Sequence, residues 1–267
     1  MNTGSVAQRL ADTPGVARTI LGAARAARGM PGADPRAMSH SWLFTGPPGS
    51  GRSLAAIDFA AALMCTDPEE PGCGRCEACR AVLETKQHTD LVLVDPQEVI
   101  IPVDTVREVI GRAASLPTVA PWRVVIFNNA DRLNNNGANA LLKTVEEPPA
   151  RTVIIMCAPS DAPEDFSQTL RSRCRHLYIP SPSVKSITAQ LVSEGASDHD
   201  AHLAALTSLR HVGRARRLVN DPAVQKRRAV AINLAEEVFH GSQGFQAVTS
   251  LLKMVDAVSY THLTLPT

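Results

Sequence analysis

SWLFTGPPGSGRSLAAIDFAAALM, residues 41–64, is the stretch on which the rest of the chain is read. Its first five residues are β-prone with an apolar centre, its last dozen are mostly helix formers, and a glycine-rich turn joins them. That turn, Gly46-Pro47-Pro48-Gly49-Ser50-Gly51-Arg52-Ser53, fits the phosphate-loop pattern G-x-x-x-x-G-K-[ST] at every position but one. A strand, such a loop and a helix in this order bring backbone amides and a helix N-terminus to one spot, where phosphate oxygens can bind. Gly46, Gly49, Gly51, Arg52 and Ser53 are therefore candidate nucleotide-binding residues. Arg52 stands in place of the usual lysine. It keeps the charge but is a longer planar fork rather than a compact ammonium, which makes ATP or ADP binding doubtful.

Outward from this loop the chain alternates between short β-rich runs and longer segments of helical period. DLVLVD at 90–95, RVVIFN at 123–128, TVIIMCA at 152–158 and RHLYIP at 175–180 read as strands. Helices are expected from Pro102 to about Leu116, from about Asn134 to Glu146, and around Glu164 to Leu170. Such alternation predicts an α/β domain with a parallel sheet and helices on both faces, over residues 1–180. Gly29 to Ser39 has the glycine and proline density of a loop. After Pro180 the strand signal ends. Residues 181–220 read as a small helical unit, and a helical stretch from about Ala223 to Val258 begins a further helical domain at 221, one that looks cut short. The last residues, 259–267, lack any helical period and are set aside as a tail foreign to the fold.

The apolar fraction of 44% suits a globular core, and no run is long enough for a membrane helix. With no secretory leader visible either, the expectation is a cytoplasmic protein without membrane contact. The net charge of +1 excludes a global basic field, so any nucleic-acid contact must be local.

A hydrolysing phosphate-loop enzyme ends a neighbouring strand with acidic residues that hold magnesium and orient water. Here VVIF is followed by Asn128 and Asn129. Amides carry no negative charge and take no proton from water, so no intrinsic catalysis is expected.

Cys65, Cys73, Cys76 and Cys79 form C-x7-C-x2-C-x2-C, the last three inside the turn-rich PEEPGCGRCEAC. Four thiolates are a full ligand set for a closed, structural Zn2+ site in the insertion 65–79. Chance clustering of reduced thiols and a redox pair at Cys73 and Cys76 are the competing readings, and His88 is a substitute ligand or, better, a capping residue. Cys157 reads as core packing. Arg171-Ser172-Arg173-Cys174-Arg175 lies between a helix and the last strand. By residue type alone these are surface or helix-capping arginines, although a guanidinium offered in trans can stabilise a transferring phosphoryl group.

Taken in order, the altered phosphate loop, the four-cysteine insertion, Ala130-Asp131-Arg132-Leu133, ALLKTVEEPP at 140–149 and Ser172-Arg173-Cys174 resemble the bacterial clamp-loader AAA+ subunits of DNA polymerase III over about residues 40–220. The resemblance implies an AAA+ fold with a helical lid (181–220) and a partial helical collar (221–258). It also implies a heteropentamer with motor (gamma/tau) and delta subunits that loads the sliding clamp onto primer-template DNA. With Arg52, Asn128 and Asn129 this chain looks like the non-hydrolysing stator of that ring. By the same resemblance the four cysteines hold zinc, Arg173 is a trans arginine finger reaching a neighbour's ATP, and Arg216 in Gly213-Arg214-Ala215-Arg216 takes the second-sensor place. Cys157-Ala158 falls where the first sensor belongs and would not serve. Two other readings compete: an active ATPase with Asp131 or Glu146 pressed into holding magnesium, and a zinc-dependent DNA-binding module, which the neutral charge and few aromatics disfavour.

Overall fold

The computed structural model describes residues 4–96 and 98–239. The chain divides into two compact units, one of residues 4–186 with Arg210–Val212, the other of Ile187–Leu209 with 213–239.

The first unit is built on strands β1 (Ser41–Thr45), β2 (Leu91–Val94), β3 (Arg123–Phe127), β4 (Thr152–Ala158) and β5 (Arg175–Tyr178). All pairings are parallel and the order is β2-β3-β4-β1-β5. The central strands are buried on both faces, as a sheet sandwiched by helices must be. Trp42 and Phe44 of β1, Val124 and Ile126 of β3, and Val153 and Ile155 of β4 face one core. Leu43, Val125, Phe127, Ile154 and Met156 face the other. The period-two alternation of the strands thus feeds two separate layers.

Helices α1 (Val6–Arg9), α2 (Pro14–Ala27) and α3 (Arg52–Met64) cover the first face. Phe59 of α3 meets Trp42 edge-on at 5.1 Å, and the Trp42 indole donates to the Ser39 carbonyl at 2.6 Å. The aromatic contact adds about 0.5–1.5 kcal/mol to plain burial. The buried Asp58 of α3 pairs with Arg9 at 2.5 Å and pins α1 to α3. Burial pushes the Asp58 carboxyl up, against the pull of Arg9. The four-cysteine segment follows, with the short α4 (Glu77–Arg80) and a π-helical turn at Ala81–Thr85.

On the second face lie α5 (Val103–Ala113), α6 (Asn135–Glu146) and α7 (Gln168–Arg171). Asn134 caps α6, its side chain accepting from the Gly137 amide at 2.8 Å. Helix α5 stops before the expected Leu116 because Arg123 takes the carbonyls of Arg112 and Ser115, at 2.6 and 2.7 Å. Pro117 disfavours a helical Leu116, and the cation satisfies the carbonyls that the helix end leaves without partners. The helix expected around Glu164 is displaced to α7. Ser160 and Asp165 bond each other at 2.6 Å, and the Ala162 carbonyl accepts from the Asp165 and Phe166 amides, giving turns over 161–166.

The next helices are α8 (Val184–Ser193), α9 (Asp198–Thr207), α10 (Val212–Asn220) and α11 (Pro222–Phe239). Within the second unit Ile187, Leu191, Ala201, Ala204, Ala205 and Ala215 are buried. The expected helical run at 240–258 and the tail at 259–267 lie outside the described residues. Among the described residues no helix is long and apolar enough to cross a membrane.

Candidate functional site

The phosphate loop leaves β1 at Thr45 and enters α3 at Arg52, at the C-terminal edge of the sheet where α/β proteins bind ligands. Gly51 is the N-cap of α3 with φ of 91°, a left-handed conformation that glycine adopts freely. Gly49 has φ of 83°, and a Cβ there would overlap the ring and backbone of His211.

Inside this loop Arg52 does not reach outward. Its Nη1 donates to the Gly46 carbonyl at 2.6 Å, so the cation closes back on the first residue of the loop. Nε of Arg52 and Oγ of Ser50 are buried with no hydrogen-bond partner. Cys157, on β4, lies with its sulfur 3.9 Å from the Arg52 carbonyl, and burial pushes its thiol up to about 12, so it is a neutral thiol at this place. At the end of β3, Asn128 is buried with Oδ1 unpartnered, and Asn129 turns the chain with φ of 52°. Asp131, the carboxylate nearest in sequence, is exposed on a 3-10 turn at Ala130–Arg132. The fold thus brings together the loop, Asn128 and Cys157. Among the described residues Asn128 and Asn129, not carboxylates, follow β3 directly.

Arg173 follows α7. Its Nε donates to Glu146 Oε1 at 2.5 Å and its Nη1 to the Thr169 carbonyl at 2.8 Å, with the side chain still 36% exposed. Arg171 is tied in a similarly part-exposed pair to Asp161 at 3.0 Å. In the second unit Arg216 makes a bidentate pair with Glu194, its Nη2 at 2.6 Å and Nε at 2.9 Å.

The sulfurs of Cys65, Cys73, Cys76 and Cys79 all lie within 4.8 Å of one another. Cys65 is 3.6 Å from Cys73 and 3.9 Å from Cys76. A tetrahedron with Zn–S bonds of ~2.3 Å has S–S edges of about 3.8 Å, so these four residues fit a metal ion of that size. Contact with Cys79 holds the Cys65 thiol below the usual thiol range, while the same contact and burial raise Cys79. His88 takes no part: its Nδ1 accepts from the Asp90 amide at 3.0 Å, a turn cap.

Sequence reasoning missed the buried Asp90. Its carboxylate accepts from the amides of Thr118, Val119 and Ala120 at 2.8, 2.7 and 2.9 Å and from Arg123 at 3.0 Å. Burial would raise its pKa; the three amides and the guanidinium reverse that and hold it well below the usual carboxylate range. Only the Asp at the head of an apolar strand could have signalled it.

A five-stranded parallel sheet in the order β2-β3-β4-β1-β5, with a phosphate loop between β1 and the following helix, defines an AAA+ P-loop domain. A family model described as "DNA polymerase III, delta subunit" matches residues 33–183, and the chain belongs to that family. It is 36% identical over 147 residues to DNA polymerase III subunit delta' of Pseudomonas aeruginosa, covering 54% of this chain and 44% of that one. With subunit delta' of Bacillus subtilis the identity is 29% over 207 residues, 78% of this chain and 61% of the other. It is also 33% identical over 174 residues to subunit gamma/tau of Mycobacterium tuberculosis, covering 63% and 30%. The chain spans about half the length of these delta' relatives.

Proposed function

We propose that this chain is the non-hydrolysing stator of a DNA polymerase III clamp loader. It assembles with gamma/tau motor and delta subunits, helps place the sliding clamp on primer-template DNA, and offers Arg173 to the ATP of its neighbour. One observation carries the reading: Arg52 closes on the Gly46 carbonyl while Asn128 and Asn129 replace the acids that a hydrolysing site needs. A subunit that keeps the fold of the motor but lacks the charge to hold magnesium can still shape its neighbour's site.

In this reading α8 to α10 form the lid, α11 opens the collar, and the four cysteines hold a structural zinc that staples their loop. Closed sites of four thiolates leave no position for water, so the metal takes no part in turnover. Arg216, paired to Glu194, acts structurally. Arg173 rests on Glu146 with both partners part-exposed, a contact worth at most about 1 kcal/mol, so a neighbour's phosphate can displace the carboxylate.

The test is DNA-stimulated ATP hydrolysis by a reconstituted loader carrying Arg173→Ala. A trans arginine contributes on the order of 10³ in rate, so turnover falls by at least about a hundredfold while the complex still assembles. Unchanged turnover in an intact complex refutes the role of Arg173.

A further inference from the structure

Among the described residues the sheet ends at β2, and no further strand pairs with its outer edge. Val124 donates to the Asp90 carbonyl and Asn128 to the Val94 carbonyl, both at 2.9 Å, so β2 pairs with β3 through residues 90, 92 and 94. Alternation in a parallel ladder turns the backbone of Leu91 and Leu93 the other way. The Leu91 amide is met by the His88 carbonyl at 3.0 Å, which leaves the Leu91 carbonyl and both backbone groups of Leu93 along the edge. Two cavities that share Val92, Leu93 and Arg112 run along it, of about 820 and 400 Å³. One wall is a single face of α5, Thr105, Glu108, Val109 and Arg112, at the i, i+3, i+4, i+7 spacing. The other end is walled by the four-cysteine segment through Glu77, Ala78 and Ala81. Val119 and Ile100, 70% and 52% exposed, sit one at each cavity.

The charges divide along this trough. Lys86 and Arg112 line the first cavity, against one carboxylate, Glu77. Asp95, Glu98 and Glu108 line the second, Arg112 standing at the junction. An edge strand facing a helix across a groove is the geometry in which an extended peptide adds as a further strand, main-chain bonds giving affinity and flanking side chains giving selectivity. We propose that the groove between β2 and α5 docks an extended segment of a partner protein, acidic where it passes Lys86 and Arg112, apolar over Leu93, and basic where it passes Asp95, Glu98 and Glu108.

The probe is a blocked peptide of alternating threonine and valine with two lysines at its N-terminus and two glutamates at its C-terminus, which matches the charges when antiparallel to β2. Binding to the full chain is followed by NMR and amide hydrogen exchange. The peptide is expected to bind, to slow exchange at the Leu93 amide, and to weaken at least about fivefold when its central amides are N-methylated, the size of one lost hydrogen bond. Replacing its charged ends by glutamine, or using Arg112→Glu in the protein, weakens it by a similar factor. Because Arg112 is exposed, the variant keeps its fold, and thermal melting checks this; Glu98→Lys is a second, independent variant at the acidic end. No binding up to millimolar peptide, or binding indifferent to N-methylation and to the charged ends, overturns the proposal.

Discussion

Replacing Asp90 by asparagine changes one atom in the interior and tests how the edge of the sheet is held. Oδ1 accepts from the Thr118 amide and hydroxyl and from Arg123; Oδ2 accepts from the Val119 and Ala120 amides. The asparagine side chain would keep one acceptor and turn an NH2 group toward two amides that also donate. It would leave the Arg123 guanidinium, 8% exposed, without its counter-charge. Removing one partner of a buried pair costs about 3–5 kcal/mol. For a protein of this size each kcal/mol moves Tm by about 2–4 °C, so the variant should melt roughly 6–20 °C lower. Urea unfolding at pH 7 measures it directly. Because the folded carboxyl titrates below its unfolded value, its contribution is fully present above about pH 4 and is lost as pH falls through the lower, folded value. The wild type should therefore lose stability on acidification below about pH 4 more steeply than Asp90→Asn. Arg123→Met added to the variant should recover part of the loss, since no buried charge then stands alone. A loss under about 1 kcal/mol for Asp90→Asn would refute the reasoning.

Cys76→Ser should reduce bound zinc, measured by mass spectrometry of the metal, from about one ion per chain to a small fraction, and chelation of the wild type should lower its Tm by several degrees. An unchanged zinc content would show that the cluster is not the site. Arg52→Lys should strengthen binding of a fluorescent ATP analogue by roughly tenfold yet leave the isolated chain without magnesium-dependent phosphate release, because Asn128 and Asn129 remain; measurable turnover would contradict this. Gly49→Ala, at φ of 83° and against His211, should cost about 1–3 kcal/mol in thermal or urea unfolding.

Much of this molecule follows from local sequence. Continuous apolar runs such as VVIF and TVIIMCA suit strands buried on both faces of a covered parallel sheet, and Gly49 and Gly51 permit the sharp turn from strand to helix. Local spacing likewise placed four cysteines within residues 65–79. Tertiary structure alone decided where the long side chains go. Arg52 turns back to Gly46, Arg173 rests on Glu146 twenty-seven residues away, and Asp90 meets the 118–120 turn across about thirty residues of chain. Such partners are chosen by rotamer and by which backbone groups burial leaves unpaired, and neither leaves a periodic trace. The outer edge of β2 belongs to the same class: which strand ends a parallel sheet depends on pairing order, a property of the assembled fold rather than of any one segment.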